Sequence, residues 1–344
     1  MKKIFLRAAF LLSAVIIAVC MAGCGKNQEK RFTFDGMTQG TYFHIVVYTH
    51  DSTGIRQGID KILSQIDNSM SLWNENSVLS RVNRNEDIEL DSAFIENFDA
   101  AQYFSYLTDG AFDITVGELV RKHGFAEKNR EKLSANQIDS LLSFTGYKTV
   151  KREGNRLIKN DNRTKLDFNA IAQGYTSDKI AQYLHSQNIH SFIVDVGGEV
   201  MCGNKKPAAG KWSVGIQNPE KLDASFNDAS IVNIYLENES VVTSGNYRKF
   251  YVENGVKYSH TIDPKTGRPV THSLLSASVI ANNATTADAL ATAFMVMGLD
   301  KSRQFLQQHK EYAAFMIYSD SKGNMQTWQS DNFKRYTQNT SSKQ

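Results

Sequence analysis

The sequence has few cysteines, few prolines and almost no net charge beyond its first residues. Its 4 prolines and 22 glycines among 344 residues exclude a collagen-like or proline-rich chain. Basic residues outnumber acidic ones by 39 to 36, and Lys2, Lys3 and Arg7 account for that excess. The remaining chain is neutral overall and gives no reason to expect a nucleic acid as a partner. With 41% hydrophobic and 22% charged residues, the composition is that of a folded globular protein.

The motifs of several common enzyme classes are also missing. The sequence contains no GxxxxGK[ST] phosphate loop, no GxGxxG, no HExxH and no GxSxG. Classical P-loop, Rossmann, zincin and α/β-hydrolase folds therefore lose support. No second apolar run of membrane-spanning length follows the N-terminal one.

The N-terminus has the pattern of an export signal. A basic start precedes the apolar run Ala8–Gly23, which is short for a membrane-spanning helix. The run ends in Met21-Ala-Gly-Cys24, which resembles the lipobox of bacterial lipoproteins, with Met in place of the usual Leu. We therefore expect a signal peptide over residues 1–23, lipidation of Cys24 and a polar tether over residues 24–31. The acyl chains would hold the exported protein at a bacterial membrane, on the periplasmic side of the inner membrane or at the outer membrane.

Only one thiol remains after such processing. Cys20 is lost with the signal peptide and Cys24 is acylated, so that Cys202 has no partner for an intrachain disulfide. We interpret Cys202 as an ordinary small buried residue.

The exported part is predicted to be one compact unit over residues 32–336, in one lobe or two, with a disordered tail over residues 337–344. Helix and strand patterns mix without a strict βαβ rhythm, which predicts an α+β fold with largely antiparallel sheets and flanking helices. Helical spacing is found at 55–66, 94–104, 138–144, 170–187 and 286–297, and strand patterns at 41–48, 191–196, 231–236, 247–252, 256–260, 276–281, 311–318 and 325–329.

Asp288 and Thr292 are the first candidates for a functional site. They are four residues apart on a predicted helix, so their oxygens share one face. A carboxylate and a hydroxyl are hard-oxygen ligands suited to Mg²⁺. From spacing alone, the favoured interpretation is that Asp288 is a first-turn acid and that Thr292 bonds back to its own helix.

Three further stretches allow a structural and a functional interpretation. Asp167 or Asn169 is expected to cap the helix that follows, whose N-terminus is also a place for phosphate. His260, at a predicted strand end, is either simply packed or a general base. Trp73 either belongs to the core or stacks on a planar ring.

Taken in order, these stretches resemble the ApbE-type flavin transferases, FAD:protein FMN transferases once called thiamine biosynthesis lipoproteins. The matching pieces cover about Met37 to Gly298. They are Met37-Thr-Gln-Gly-Thr-Tyr42, Ser71-Leu-Trp-Asn74 with Leu79-Ser-Arg-Val-Asn83, Ala111-Phe-Asp-Ile-Thr-Val-Gly117, Asp167 to Asp178, Val194-Asp-Val-Gly-Gly198, Thr243-Ser-Gly-Asn-Tyr247, His260-Thr-Ile-Asp-Pro264 with Gly267, and Ala287-Asp-Ala-Leu-Ala-Thr292.

The resemblance implies a role for each matching position. The FAD site would be lined by Met37, Trp73, Ala111, Phe112, Asp113, Asp167, Gln173 and Ile262. Mg²⁺, or Mn²⁺ in its place, would be held by Asp288, Thr292 and the main-chain carbonyl of Ala170, and His260 would be the catalytic group beside the reacting phosphate. The family often has Lys where Gln173 stands, and Leu-Gly-Gly where this chain has Phe168-Asn-Ala170.

The implied reaction moves FMN from FAD to a Thr or Ser hydroxyl of an acceptor flavoprotein and releases AMP. The partners would be FAD, that acceptor and, through the lipid anchor, the membrane. Two alternatives stay open at this point: a metal-dependent FAD pyrophosphatase that yields FMN and AMP, and a non-catalytic FAD-binding lipoprotein.

Overall fold

A computed structural model describes residues 28–124, 133–221, 229–246, 250–253, 256–259 and 261–338, with 250–253 and 256–259 described by their backbone alone. The fold is the predicted α+β mixture. The helices are α1 (Ile55–Met70), α2 (Val78–Asn83), α3 (Ser92–Leu107), α4 (Gly117–Lys122), α5 (Ala135–Leu142), α6 (Ala172–Ser186) and α7 (Ala284–Gln308), with 3₁₀ turns at Tyr147–Thr149 and Asp331–Tyr336. The strands are β1 (Lys30–Thr38), β2 (Thr41–Thr49), β3 (Val150–Glu153), β4 (Arg156–Lys159), β5 (Ser191–Val196), β6 (Glu199–Cys202), β7 (Trp212–Gln217), β8 (Ser230–Leu236), β9 (Ser240–Gly245), β10 (Phe250–Glu253), β11 (Val256–Ser259), β12 (Ile262–Asp263), β13 (Arg268–Pro269), β14 (Leu274–Ala281), β15 (Ala313–Ser319) and β16 (Met325–Gln329).

One eight-stranded sheet, in the order β1-β2-β5-β6-β9-β14-β15-β16, organises the molecule. Every neighbouring pair of strands in it is antiparallel, as the sequence predicts. Four short hairpins, β3-β4, β7-β8, β10-β11 and β12-β13, complete the described strands. Among the described residues, no helix is long and apolar enough to cross a membrane.

Both faces of the sheet are covered. Because successive side chains of a strand point to opposite faces, Ile45 and Val47 pack with α1 and α6, whereas Val46 packs with Trp212 of β7. α7 covers the helix-side face of β9 and β14, and the turn Asp331–Tyr336 joins the β7-β8 hairpin on the other face. Cys202 is fully buried in that second cluster, and burial raises the pKa of its thiol, which confirms an ordinary packed residue.

The sheet brings the predicted site stretches to one of its ends. Register pairs Phe43 with Val196, and the neighbouring turn Gly197-Gly198 connects β5 to β6. β9 then runs past that turn and ends at Gly245, which pairs with Ser276 near the start of β14. The β1-β2 turn, the β5-β6 turn and the end of β9 therefore lie together.

Three sequence predictions need correction, and a fourth is confirmed. α6 runs over Ala172–Ser186 rather than 170–187, and neither Asp167 nor Asn169 caps it, because the Asp167 carboxylate accepts the N–H of Asn169 instead. The predicted helix 286–297 does end at Gly298, whose φ of 72° and ψ of 177° are not helical, and a second helical stretch follows within the segment named α7. β1 already begins at Lys30, inside the segment assigned to the tether.

Candidate active site at the α6-α7 crossing

Asp288 lies against the first turn of α6. It is the fifth residue of α7, not a first-turn acid, and only 4% of its surface is exposed. Its Oδ2 accepts a 3.0 Å hydrogen bond from the backbone N–H of Gly174, the one hydrogen bond to this carboxylate among the described residues. Burial, together with the nearby charge of Asp178, raises the pKa of Asp288 to about 7. The Asp288 carboxylate therefore lacks a positively charged partner among the described residues.

Thr292 lies one turn further along α7 and faces the end of β9. Its hydroxyl is 3.3 Å from the hydroxyl of Ser244, so Thr292 contacts the sheet rather than its own helix. The two predicted metal ligands of α7 thus lie between the start of α6 and the end of the sheet where the site stretches meet.

The third predicted ligand, the carbonyl of Ala170, belongs to the turn directly before α6. α6 and α7 run antiparallel, with Asp178 beside Ala284 and Gly174 beside Asp288. Contacts further along α7, from Ala284 to Asp288, are made with residues nearer the start of α6, so the turn before α6 lies towards the Asp288 and Thr292 end of this contact.

The donor set fits a hard divalent cation. Carboxylate, hydroxyl and carbonyl oxygens are the ligands of Mg²⁺, which keeps several water or phosphate oxygens besides. The buried Asp288 carboxylate forms no ion pair in the described part of the chain, so a bound cation would supply the missing positive charge. No group of three or more His, Cys, Asp or Glu side chains among the described residues could hold a metal, as expected for a set with one carboxylate.

Two buried loops carry the predicted aspartates of the FAD site. The Asp113 carboxylate accepts the N–H and the hydroxyl of Thr115 and, from another segment, the N–H of Tyr147. The Asp167 N–H donates to the carbonyl of Ile114, which joins the two loops. Burial raises the pKa of Asp113 and of Asp167, and neither forms an ion pair within the described chain. The loops are therefore fixed beside each other by backbone contacts.

The other predicted FAD residues divide into open and buried positions. Met37 is 75% exposed and Trp73 is 77% exposed, so Trp73 does not belong to the core. Gln173 is partly exposed at the start of α6. Ala111, Phe112 and Ile262 are buried, Phe112 and Ile262 in separate apolar clusters, so these positions offer a ligand mainly their backbone.

Two predicted positions, His260 and Cys24, lie outside the described residues. A described turn follows this segment: the Gly267 N–H donates to the carbonyl of Asp263, and Gly267 has a φ of 64°.

Sequence reasoning missed several polar residues that build this site. Asn83 bonds to the backbone of Leu166, directly before Asp167, and Asp178 caps α7 from α6. Asn246, two residues beyond Ser244, donates from Nδ2 to the carbonyl of Leu274, while its buried Oδ1 has no partner in the described chain. Their motifs were visible in the sequence, but their contacts are too distant along the chain to be inferred from it.

Two cavities of about 350 and 560 Å³ flank α6, and Tyr175, Lys179 and Gln182 line both. The described residues that line these two cavities include no predicted metal or FAD position, so the candidate site is distinct from both cavities.

Comparison with known proteins gives one consistent result. The model of the ApbE family matches residues 39–316. The chain is similar to the FAD:protein FMN transferases of Vibrio cholerae, at 30% identity over 334 residues (94% of this chain, 96% of that protein), and of Haemophilus influenzae, at 31% identity over 340 residues (94% and 96%). Its structure is similar to the flavinyl transferase ApbE of Pseudomonas stutzeri, with a TM-score of 0.81, 28% identity, and coverage of 90% of this chain and 98% of that one.

Proposed function

Because the chain belongs to the ApbE family, we propose that it is an FAD:protein FMN transferase that uses Mg²⁺ and transfers FMN to a Thr or Ser hydroxyl of an acceptor protein. In this reaction the hydroxyl oxygen bonds to the FMN phosphorus, and the bond from that phosphorus to the bridging oxygen breaks. AMP leaves with the bridging oxygen, and the hydroxyl proton passes to a base.

The observation that carries the metal requirement is the buried Asp288 carboxylate beside the Gly174 N–H. A pyrophosphate brings further negative charge to a place where Asp288 already lacks a cation. A cation between these two negative groups would offset their repulsion. We assign Mg²⁺ to Asp288, Thr292 and the carbonyl of Ala170, where it would neutralise the pyrophosphate and stabilise the leaving AMP.

The remaining residues bind and orient the dinucleotide. The joined Asp113 and Asp167 loops provide rigid backbone and buried carboxylates for the flavin half of FAD. The exposed indole of Trp73 is available to stack on a planar ring. Such positioning supplies most of the rate enhancement in phosphoryl transfer.

We assign the base to His260, on the resemblance of its segment to the family. General base catalysis of this kind contributes roughly 10²–10⁴-fold. Ser259 ends β11 and Ile262 begins β12, so the residue stands between two described strands.

An FAD pyrophosphatase is the second candidate, because the site is open. Met37 and Trp73 expose three quarters of their surface, and an open site admits water as well as a protein hydroxyl. A purely FAD-binding lipoprotein is the third candidate, which the buried Asp288 carboxylate disfavours, since binding alone needs no metal at the phosphates.

One experiment separates the three candidates. The full chain, purified in detergent, is incubated with FAD, Mg²⁺ and a candidate acceptor domain, and the acceptor is analysed by in-gel flavin fluorescence and intact mass. A fluorescent acceptor that has gained one FMN, together with AMP, supports the transferase. AMP with an unmodified acceptor supports the pyrophosphatase, and unchanged FAD supports the binding protein.

We also propose that the protein acts outside the cytoplasm, anchored to a membrane by lipid on Cys24. The basic start, the apolar run to Gly23 and the lipobox-like residues before Cys24 support this proposal. The acceptor would then be a flavoprotein subunit exposed on the same side of that membrane.

A further inference from the structure

Asp178 of α6 caps the N-terminus of the neighbouring helix α7. Its Oδ1 accepts the N–H of Ala284 at 2.8 Å, and its Oδ2 accepts the N–H and the hydroxyl of Thr285 at 2.8 and 2.5 Å. Asp178 is buried, and it lies 106 residues from Ala284 in the sequence. A buried carboxylate with three donors from one helix end holds that end in place.

One helical turn away, a second hydrogen bond links the same two helices, with the carboxylate on α7 and the donor on α6. There Asp288 of α7 accepts the N–H of Gly174 in α6. The helices touch so closely that a Cβ on Gly174 would lie 2.4 Å from the Ala284 carbonyl oxygen and 2.8 Å from the Asp288 Cβ. Gly174 therefore permits the approach that the two carboxylates fix.

These two helix contacts lie next to the proposed metal site. From the Asp178 contact to the Gly174 contact, four residues towards the start of α6 correspond to four residues further along α7, and the chain before α6 comes next. Sliding or separating the helices would change the distance between the Ala170 carbonyl and the α7 side chains Asp288 and Thr292. A metal site of few protein ligands depends on that distance.

We propose that Asp178 is a positioning residue for the metal site: by capping α7 from α6, it sets the distance between the Ala170 carbonyl and the ligands of α7. The inference rests on the proposed function, because it takes these three groups as the metal ligands. Asp178 itself touches neither the metal nor FAD.

The chain offers a matched control for this role. Asn283 also caps α7, through a 2.8 Å bond from the Thr286 N–H to its Oδ1, but this cap forms within its own helix segment. Removing either cap weakens the start of α7. Only the loss of Asp178 also removes a link between α7 and α6, so Asp178→Ala and Asn283→Ala separate positioning from ordinary capping.

The test measures binding of Mn²⁺ alone to the metal-stripped protein, by the loss of the free Mn²⁺ signal in electron paramagnetic resonance, and the Mg²⁺ concentration for half-maximal FAD turnover. We expect Asp178→Ala to weaken Mn²⁺ binding by roughly 10–100-fold, the usual effect of losing a residue that orients metal ligands. Asp178→Asn, which retains an acceptor for the Ala284 N–H, should show a smaller loss. Asn283→Ala should bind Mn²⁺ as the unmodified chain does, and its half-maximal Mg²⁺ concentration should not change.

Each other result counts against the proposal. Equal Mn²⁺ affinity in Asp178→Ala and the unmodified chain, or an equal loss in Asn283→Ala, would refute the positioning role while the metal site stands. Absence of Mn²⁺ binding by the unmodified chain would refute the metal assignment itself, and the inference with it. If Asp178→Ala does not fold, as judged by circular dichroism, the comparison of Asp178→Asn with Asn283→Ala decides.

Discussion

The side-chain amide of Asn83 holds the backbone of Leu166 in the way a neighbouring strand would. Its Oδ1 accepts the Leu166 N–H and its Nδ2 donates to the Leu166 carbonyl, both at 2.8 Å. The next residue is Asp167, whose own N–H bonds to Ile114. Asn83 therefore supports the Asp167 loop, which backbone bonds join to the Asp113 loop.

We predict that Asn83→Ala raises the KM for FAD more than it lowers kcat. The variant removes the support of the Asp167 loop, which is assigned to binding of FAD away from the transferred phosphate. The two unpaired groups of Leu166 should also cost about 1–3 kcal/mol of unfolding free energy. Steady-state kinetics and urea unfolding measure the two effects.

The control for this variant is Asn332→Ala. Asn332 also bridges two backbone positions, the carbonyls of Lys310 and Tyr312, but it does so beside the turn Asp331–Tyr336. It should lose stability without a change in KM. An unchanged KM in Asn83→Ala would remove Asn83 from the support of the FAD site.

The contact between α6 and α7 predicts a severe effect of Gly174→Ala. The new methyl would meet the backbone of Ala284 at 2.4 Å, which cannot rotate away, so the helices must separate. Overpacking of this kind costs about 1–3 kcal/mol, and Mg²⁺ activation should weaken with it. Gly58→Ala is the control, because its methyl would meet the ring end of Tyr183, which can turn aside. Thermal unfolding with and without Mg²⁺ compares the two, and an equal effect of both would contradict the explanation.

The raised pKa of Asp288 predicts how Mg²⁺ binding depends on pH. Below about 7 the carboxyl is protonated, and a proton must leave before the cation binds, so affinity should fall as pH decreases. In the metal-free protein, the stability of the fold has the opposite pH dependence. Because the folded pKa of Asp288 lies above the unfolded value of 3.8, the stability that this group contributes is lost as pH rises towards 7.

Mg²⁺ should therefore raise the melting temperature more at about pH 8 than at about pH 6, because only the ionised carboxylate binds the cation. Differential scanning calorimetry at both pH values measures the shift. Asp288→Asn should show no Mg²⁺-dependent shift at either pH, and a shift of equal size at both pH values in the unmodified chain would argue against Asp288 as a ligand.

The lipobox-like end of the apolar run predicts acylation at Cys24. Cys24→Ser should move the protein from the membrane fraction to a soluble one, because the acyl chains supply the apolar area that binds the bilayer. Cell fractionation and the intact mass of the detergent-extracted protein test this. An unmodified Cys24 in membrane-bound protein would mean that another segment is the anchor.

Local signals in the sequence predicted local structure well. The sequence Ser134-Ala-Asn-Gln137 has the capping-box pattern, and in the structure each of the two end side chains bonds to backbone three residues away. The apolar and β-branched residues of β2 and the helical spacing of α1 predicted the right element in the right place. The predicted helix 286–297 ends at Gly298, where the backbone has a φ of 72°, and a second helical stretch follows.

The contacts that build the site were not predictable in this way. From spacing alone, Asp288 was favoured as a first-turn acid, whereas its surroundings are set by Gly174, 114 residues earlier. Asn83 and Leu166 are 83 residues apart, and nothing in either segment indicates the other. The resemblance to the family indicated which residues come together in the site. The register of the sheet and the packing of α6 against α7 explain why they do.

The most direct test of the account is FMN transfer by Asp288→Asn, with the unmodified chain alongside. The substitution keeps the shape of the side chain and the acceptor for the Gly174 N–H, but removes the charge that would hold Mg²⁺. With FAD, an acceptor and a titration of Mg²⁺, the unmodified chain should give an acceptor that carries one FMN, and none after chelation of the metal. Asp288→Asn should be folded and leave the acceptor unlabelled at the same Mg²⁺ concentrations. Full labelling by Asp288→Asn, or by the unmodified chain without divalent metal, would contradict the central claim.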